Sequence, residues 1–132
     1  MRIYLDSAPV IYAIQSVEPF FPSVSQWIGR PDAVLVVSDL TRLECRVLPI
    51  RDGNSLLLEA YDEFFSTGVK EIVPLSAGVV DRATDIRAQY GFTVPDSLHL
   101  AAALSSDCEV FLTNDRRLLG FGEISVEILA AS

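Results

Sequence analysis

The stretch AVLVVSDLTRLE, residues 33–44, decides how the chain folds. Residues 33–37 are continuously apolar, with three valines, and lack the alternation of a strand that has one wet face. Such a run reads as a strand covered on both sides, the condition of strands in a parallel sheet. Ser38 then opens a helical stretch, because its hydroxyl can cap the first turn. Leu40, Leu43, Val47 and Leu48 follow at the spacing of an amphipathic helix. A buried strand running straight into a helix is the building unit of an α/β sheet.

The same unit recurs outward from there. Residues 2–5 (RIYL) form an apolar run that stops at Asp6, and Ser7 can cap a helix bearing Val10, Ile11 and Ile14 on one face, with Pro9 tolerated in its first turn. Pro19 and Pro22 interrupt the pattern, and a short helix over 22–29 turns Trp27 and Ile28 inward and ends at Gly29. Gly53 and Asn54 mark a break before an amphipathic helix over 55–66, closed by Gly68. Residues 71–75 are a weaker strand because of Pro74, and 76–90 read as a helix closed by Gly91. Residues 95–106 combine Pro and Asp in an opening turn with an alanine-rich body, which is strong helix chemistry. Residues 109–112 and 125–129 supply the last two strands. Strands alternating with helices predict a three-layer α/β/α sandwich around a central parallel sheet, as one domain over 1–132.

Composition narrows the function classes. Half of the 132 residues are apolar, enough for a folded core and against a disordered chain. No apolar run reaches the roughly 20 residues of a membrane helix. The opening MRIYLDSAPVIYAI departs from a signal peptide, since Asp6 interrupts it and no small-residue cleavage site follows. The two cysteines, Cys45 and Cys108, are far apart and form no CxxC pattern, which argues against a zinc site and for buried thiols in a reducing compartment. A cytoplasmic protein with no membrane partner is expected. The net charge of −8 counts against broad, nonspecific nucleic-acid binding. Against that, nine of the ten basic residues are arginine, the side chain suited to bidentate phosphate contacts.

Three of four candidate acids fall where an open α/β sheet builds its sites, outside the carboxyl ends of the strands. Asp6 directly follows the first strand, and Asp115 follows the 109–112 strand after Thr113 and Asn114. Glu44 lies within two turns of the second strand, and Asp96 is in the first turn of the alanine-rich helix. Asp6, Asp96 and Asp115 sit beside strongly apolar sequence, where a carboxylate costs desolvation energy unless something pairs with it. A divalent cation would relieve both that cost and the repulsion among gathered acids. Each acid also has a structural reading: a turn or cap for Asp6 and Asp115, a dipole interaction for Asp96, a solvated surface position for Glu44.

At this point the residues match a known pattern. YLDSAPVIYAI, SDLTRLECRV, PDSLHLAAAL and FLTNDRRL, in this order, resemble the four motifs of the PIN-domain ribonucleases. Within that family the chain is most similar to the VapC-type toxins of toxin–antitoxin pairs. The resemblance implies a parallel α/β/α sandwich and Mg²⁺- or Mn²⁺-dependent endonucleolytic cleavage of RNA by metal-activated water. It carries catalytic and metal-holding roles onto Asp6, Glu44, Asp96 and Asp115. Ser7 and Thr113 would orient a water or an acid, and Asn114 would shape a turn. It also implies a homodimer and a cognate antitoxin whose C-terminal segment covers the site. Pro9 and the acidic balance depart mildly from the pattern.

Several residues keep two readings. His99, three residues after Asp96, is either catalytic or a hydrogen-bonded structural histidine. Arg116 and Arg117 either hold a phosphate or form a surface pair, and Arg42 and Arg46 around Glu44 share that ambiguity. Apolar surplus around Val10, Ile11, Ile14, Leu57, Leu58, Phe64 and Phe65 is core, with part left for a partner surface. Two other functions remain open: a PIN nuclease of RNA processing, and a catalytically silent binding module. A haloacid-type phosphatase is remote, because no second Asp stands two positions after Asp6.

Overall fold

Residues 1–131 are described by a computed structural model. The RIYL run forms β1 (Arg2–Leu5), in which Ile3, Tyr4 and Leu5 are wholly buried. β2 (Val34–Ser38) and β4 (Val110–Thr113) flank it, and β3 (Glu71–Val73) and β5 (Ser125–Ile128) form the edges. The order is β3-β2-β1-β4-β5 and every pairing is parallel. The chain winds outward from β1 to β2 and β3, then returns to build β4 and β5 on the other side. The β1–β4 junction is therefore where the winding reverses, the place where open α/β sheets form a ligand crevice.

Six helices cover the sheet: α1 (Ser7–Gln15), α2 (Phe21–Ile28), α3 (Asp39–Arg51), α4 (Ser55–Glu63), α5 (Ala77–Tyr90) and α6 (Val94–Ser105). Alternate strand residues face opposite layers. Tyr4, Val36, Val73 and Phe111 pack under α5 and α6, whose Val79, Ala83, Ile86 and Leu100 complete one core. Ile3, Leu5, Val37 and Leu112 pack under the other layer, against Val10, Val24, Cys45, Tyr61 and Phe65. Ala101, Ala102 and Ala103 are fully buried, so small side chains let α6 lie close on its neighbours. The α/β/α sandwich expected from the strand pattern is the observed architecture.

Several local readings need correction. Asp6, not Ser7, caps α1, its carboxylate accepting from Ser7 N. The third strand stops at Val73, where Pro74 has no N–H to offer. The expected 55–66 helix ends at Glu63 and continues as a π turn, Phe64–Gly68. On α3 the buried residues are Leu40, Thr41, Cys45 and Pro49, whereas Leu43, Val47 and Leu48 are half exposed or more. The helix is placed by the Ser38–Thr41 capping box, which turns the Thr41–Cys45–Pro49 stripe inward. Both cysteines are free and buried, and burial pushes each thiol up to about 12. No described helix is long and apolar enough to cross a membrane.

Candidate active site

The end of β1 and the end of β4 meet through Asp6, whose N–H donates to Leu112 O at 3.0 Å. Its carboxylate is held from two sides. Oδ1 accepts from Ser7 N at 2.8 Å and Oδ2 from the Thr113 hydroxyl at 2.7 Å. Thr113 is the last residue of β4 and Ser7 the first of α1, so the acid is fixed between a strand end and a helix start.

Glu44 reaches the same crevice from α3. Its Oε1 accepts the Ser7 hydroxyl at 2.7 Å and lies 2.6 Å from His99 Nε2. His99 comes from α6 and is 1% exposed. Its Nε2 is also 3.5 Å from Asp6 Oδ1, and its Nδ1 is 2.7 Å from the Tyr4 hydroxyl. Tyr4 in turn donates to Ser38 Oγ at 2.8 Å. Burial acts to raise the Glu44 pKa, but the His99 and Ser7 hydrogen bonds outweigh it, so the acid sits below its ordinary range.

Asp96 and Asp115 line the other side of the crevice. The Asp96 N–H donates to Thr93 Oγ1 at 3.2 Å, and the Thr93 hydroxyl also acts on the Asp96 carboxyl. Its pKa is raised, by burial first and then by the negative charges of Asp6 and Asp115. Asp115 caps the 3-10 turn Arg116–Gly120 and accepts from Arg117 N and Nε at 3.0 and 2.9 Å. That side-chain hydrogen bond is the main reason its pKa is lowered. Arg117 Nη2 lies 2.5 Å from Asp115 Oδ2 and 3.8 Å from Asp96 Oδ2.

Ligand atoms of Asp6, Glu44 and His99 all lie within 4.8 Å of one another. Asp96 and Asp115 stand outside that inner group, and the charges of Asp6 and Asp115 raise the proton affinity of Asp96. The donor set is mostly hard carboxylate oxygen with one imidazole, which fits Mg²⁺ or Mn²⁺. The acids outnumber the cations, since Arg117 is the one arginine ion-paired to any of them and is itself mostly exposed. Other readings resolve simply. Arg42 and Arg46 pair with Asp39 and Asp62, away from Glu44, and Asn114 donates to the Tyr12 hydroxyl.

The central place of His99 was not read from sequence. The available signal was one histidine in the otherwise apolar SLHLAAAL segment, where a buried imidazole must find partners. Tyr4, read as strand core, and Arg117, read as either a phosphate holder or a surface arginine, also join the site.

The family model for the PIN domain matches residues 3–124. The chain belongs to the PIN-domain family. Among solved structures, this PIN domain is similar to VapBC2 from Rickettsia felis bound to a promoter DNA fragment, at 15% identity over 98% of this chain and 100% of that one, with a TM-score of 0.77. It is also similar to a toxin–antitoxin complex from Klebsiella pneumoniae, at 17% identity, 98% and 99% coverage and a TM-score of 0.68. A third likeness is to VapC20 of Mycobacterium tuberculosis, described as a sarcin–ricin loop cleaving toxin, at 15% identity, 93% and 98% coverage and a TM-score of 0.72. At such identities the likeness is one of fold. No curated protein sequence matches the chain.

Proposed function

We propose that this PIN domain, reading the whole chain as one unit, is a Mg²⁺- or Mn²⁺-dependent endoribonuclease and the toxin of a cytoplasmic toxin–antitoxin pair. The observation that carries the reading is the convergence of Asp6, Glu44 and His99 within 4.8 Å at the strand ends, with Asp96 and Asp115 across the crevice. The likeness to the Klebsiella toxin–antitoxin complex and to VapC20, described as a sarcin–ricin loop cleaving toxin, supports the toxin role and the RNA substrate.

Asp6, Glu44, Asp96 and Asp115 would hold the ion. When bound, it activates water, orients the phosphate and stabilises the leaving oxygen. The chain's own contribution is placement. Ser7 N and Thr113 lock the Asp6 carboxylate, and Asp96, held near the same crevice with a raised pKa, is placed to serve as a ligand or proton acceptor. Arg116 and Arg117 stand beside Asp115, where a phosphate approaching the crevice would meet them. Hydrolysis of this kind needs no 2′-hydroxyl, so the products carry 5′-phosphate and 3′-hydroxyl ends.

The partners have surfaces to use. Leu48 and Leu56 are exposed beside a groove lined by Ile11, Pro49, Leu57 and Tyr61 and reaching Glu44, which suits an apolar antitoxin segment covering the site. The exposed stripe Leu43–Val47–Ile50 on α3 suits a second copy in a homodimer. The test is an RNA cleavage assay across a Mn²⁺ titration with the product ends mapped, run beside Asp6→Asn. Metal-dependent cleavage to 5′-phosphate ends is expected in the parent protein only. No cleavage at any metal concentration, or equal cleavage by the variant, overturns the reading.

A further inference from the structure

Glu44 is held by one oxygen. The Ser7 hydroxyl and His99 Nε2 both meet Oε1, at 2.7 and 2.6 Å, and no hydrogen bond among the described residues reaches Oε2. Two ligands of one octahedral Mg²⁺ at 2.0–2.1 Å stand about 3 Å apart. At 2.6 Å, Nε2 and Oε1 are therefore a hydrogen-bonded pair and not two ligands of one ion. A carboxylate oxygen accepts, so Nε2 is the donor in this contact.

The imidazole is fixed from behind. Nδ1 contacts the Tyr4 hydroxyl at 2.7 Å, and Tyr4 is wholly buried, bonded to Ser38 and stacked on Phe111 at 5.3 Å between ring centres. Ser38 ends β2 and caps α3, the helix that carries Glu44. One run of contacts thus ties the sheet, α6 and α3 to a single carboxylate oxygen.

We propose that His99 is a positioning residue which, together with Ser7, clamps Glu44 through Oε1 so that Oε2 is presented to the divalent cation it shares with Asp6. The inference rests on the metal-dependent nuclease reading and adds to it a residue outside the four acids. Outer partners of this kind fix ligand orientation, and losing one typically costs about 10–100-fold in metal affinity.

The test measures Mn²⁺ affinity of the whole chain by electron paramagnetic resonance, for the parent, His99→Leu, His99→Gln, Glu44→Ala and His99→Leu/Glu44→Ala. His99→Leu is expected to bind Mn²⁺ about 10–100-fold more weakly. His99→Gln, which keeps an N–H donor, should lose less. In the Glu44→Ala background, removing His99 should cost nothing further, because its effect runs through Glu44. Parent-like affinity in His99→Leu overturns the clamp, as does a loss of equal size in both backgrounds. A histidine nitrogen coupled to Mn²⁺ in the parent spectrum also overturns it, since His99 is the sole histidine and would then be a ligand. Should the His99 variants fail to fold, Ser7→Ala decides, because it strips the other donor from the same oxygen. Weaker binding that vanishes in the Glu44→Ala background upholds the clamp, and unchanged affinity ends it. A parent chain that neither binds Mn²⁺ nor cleaves RNA would instead sink the nuclease reading itself.

Discussion

At the end of the sheet where the strands begin, each carboxylate of the group has a donor from the chain. Arg2 donates to Glu71 at 2.6 Å and to Ser106 O at 2.9 Å, its own N–H meets Glu109 at 3.1 Å, and Ser106 completes the group by bonding Glu71. At the end where the strands finish, Asp6, Glu44, Asp96 and Asp115 converge with one mostly exposed arginine beside them. Both ends gather carboxylates on the same scaffold. At the first end the chain supplies a hydrogen-bond or ion-pair donor to each acid, and at the other Asp96 is pushed up by burial and by its neighbours' charge. Internal compensation marks acids that tie the fold together, and its lack marks acids waiting for something outside the chain.

The largest expected effect sharpens that contrast. Asp6→Asn should lower RNA cleavage by more than about 100-fold, beyond what loss of an outer partner costs. Its metal-free unfolding midpoint should stay level or rise, because one repelling charge is gone. A variant that loses activity only by unfolding would make Asp6 a structural acid and break the comparison. Next, saturating Mn²⁺ should stabilise the parent protein by about 2.7 kcal/mol at 100 times its dissociation constant, read by thermal unfolding. Asp6→Asn should lose most of that gain; equal stabilisation would put the ion elsewhere. Smaller again is Arg2→Ala, which should cost about 1 kcal/mol in urea unfolding, because the Arg2 and Glu71 side chains are one-third and nearly half exposed. Cleavage should not change. A fall in activity without a fall in stability would mean that the two ends are not independent.

The parts of the molecule that sequence disclosed were those governed by local rules. RIYL before Asp6, the Ser38 cap and the Pro95–Asp96 helix opening are patterns of neighbouring residues, and each element is found within a residue or two of its expected place. Packing between distant elements was not legible. Leu43, Val47 and Leu48 have the spacing of a buried face, yet α3 buries Thr41, Cys45 and Pro49, because the sheet and α1 meet that side. His99 follows the same logic. Its helix position relates it to Asp96, but its function in the site depends on Tyr4, Ser7 and Glu44, brought from three other elements.

Arg117 is the place where the comparison could fail at least cost to the protein. It reaches both Asp115 and Asp96, as Arg2 reaches Glu71 at the opposite end. The surroundings differ: its side chain is 72% exposed, its Asp96 contact is 3.8 Å long, and its short contacts go to a residue only two positions away. An exposed local pair is screened by water and fixes little of the fold. Arg117→Ala should therefore move the metal-free unfolding midpoint by no more than about 2 °C. A marked drop would show that the crevice is neutralised by the chain after all, and that its acids, like Glu71, are there to hold the structure together.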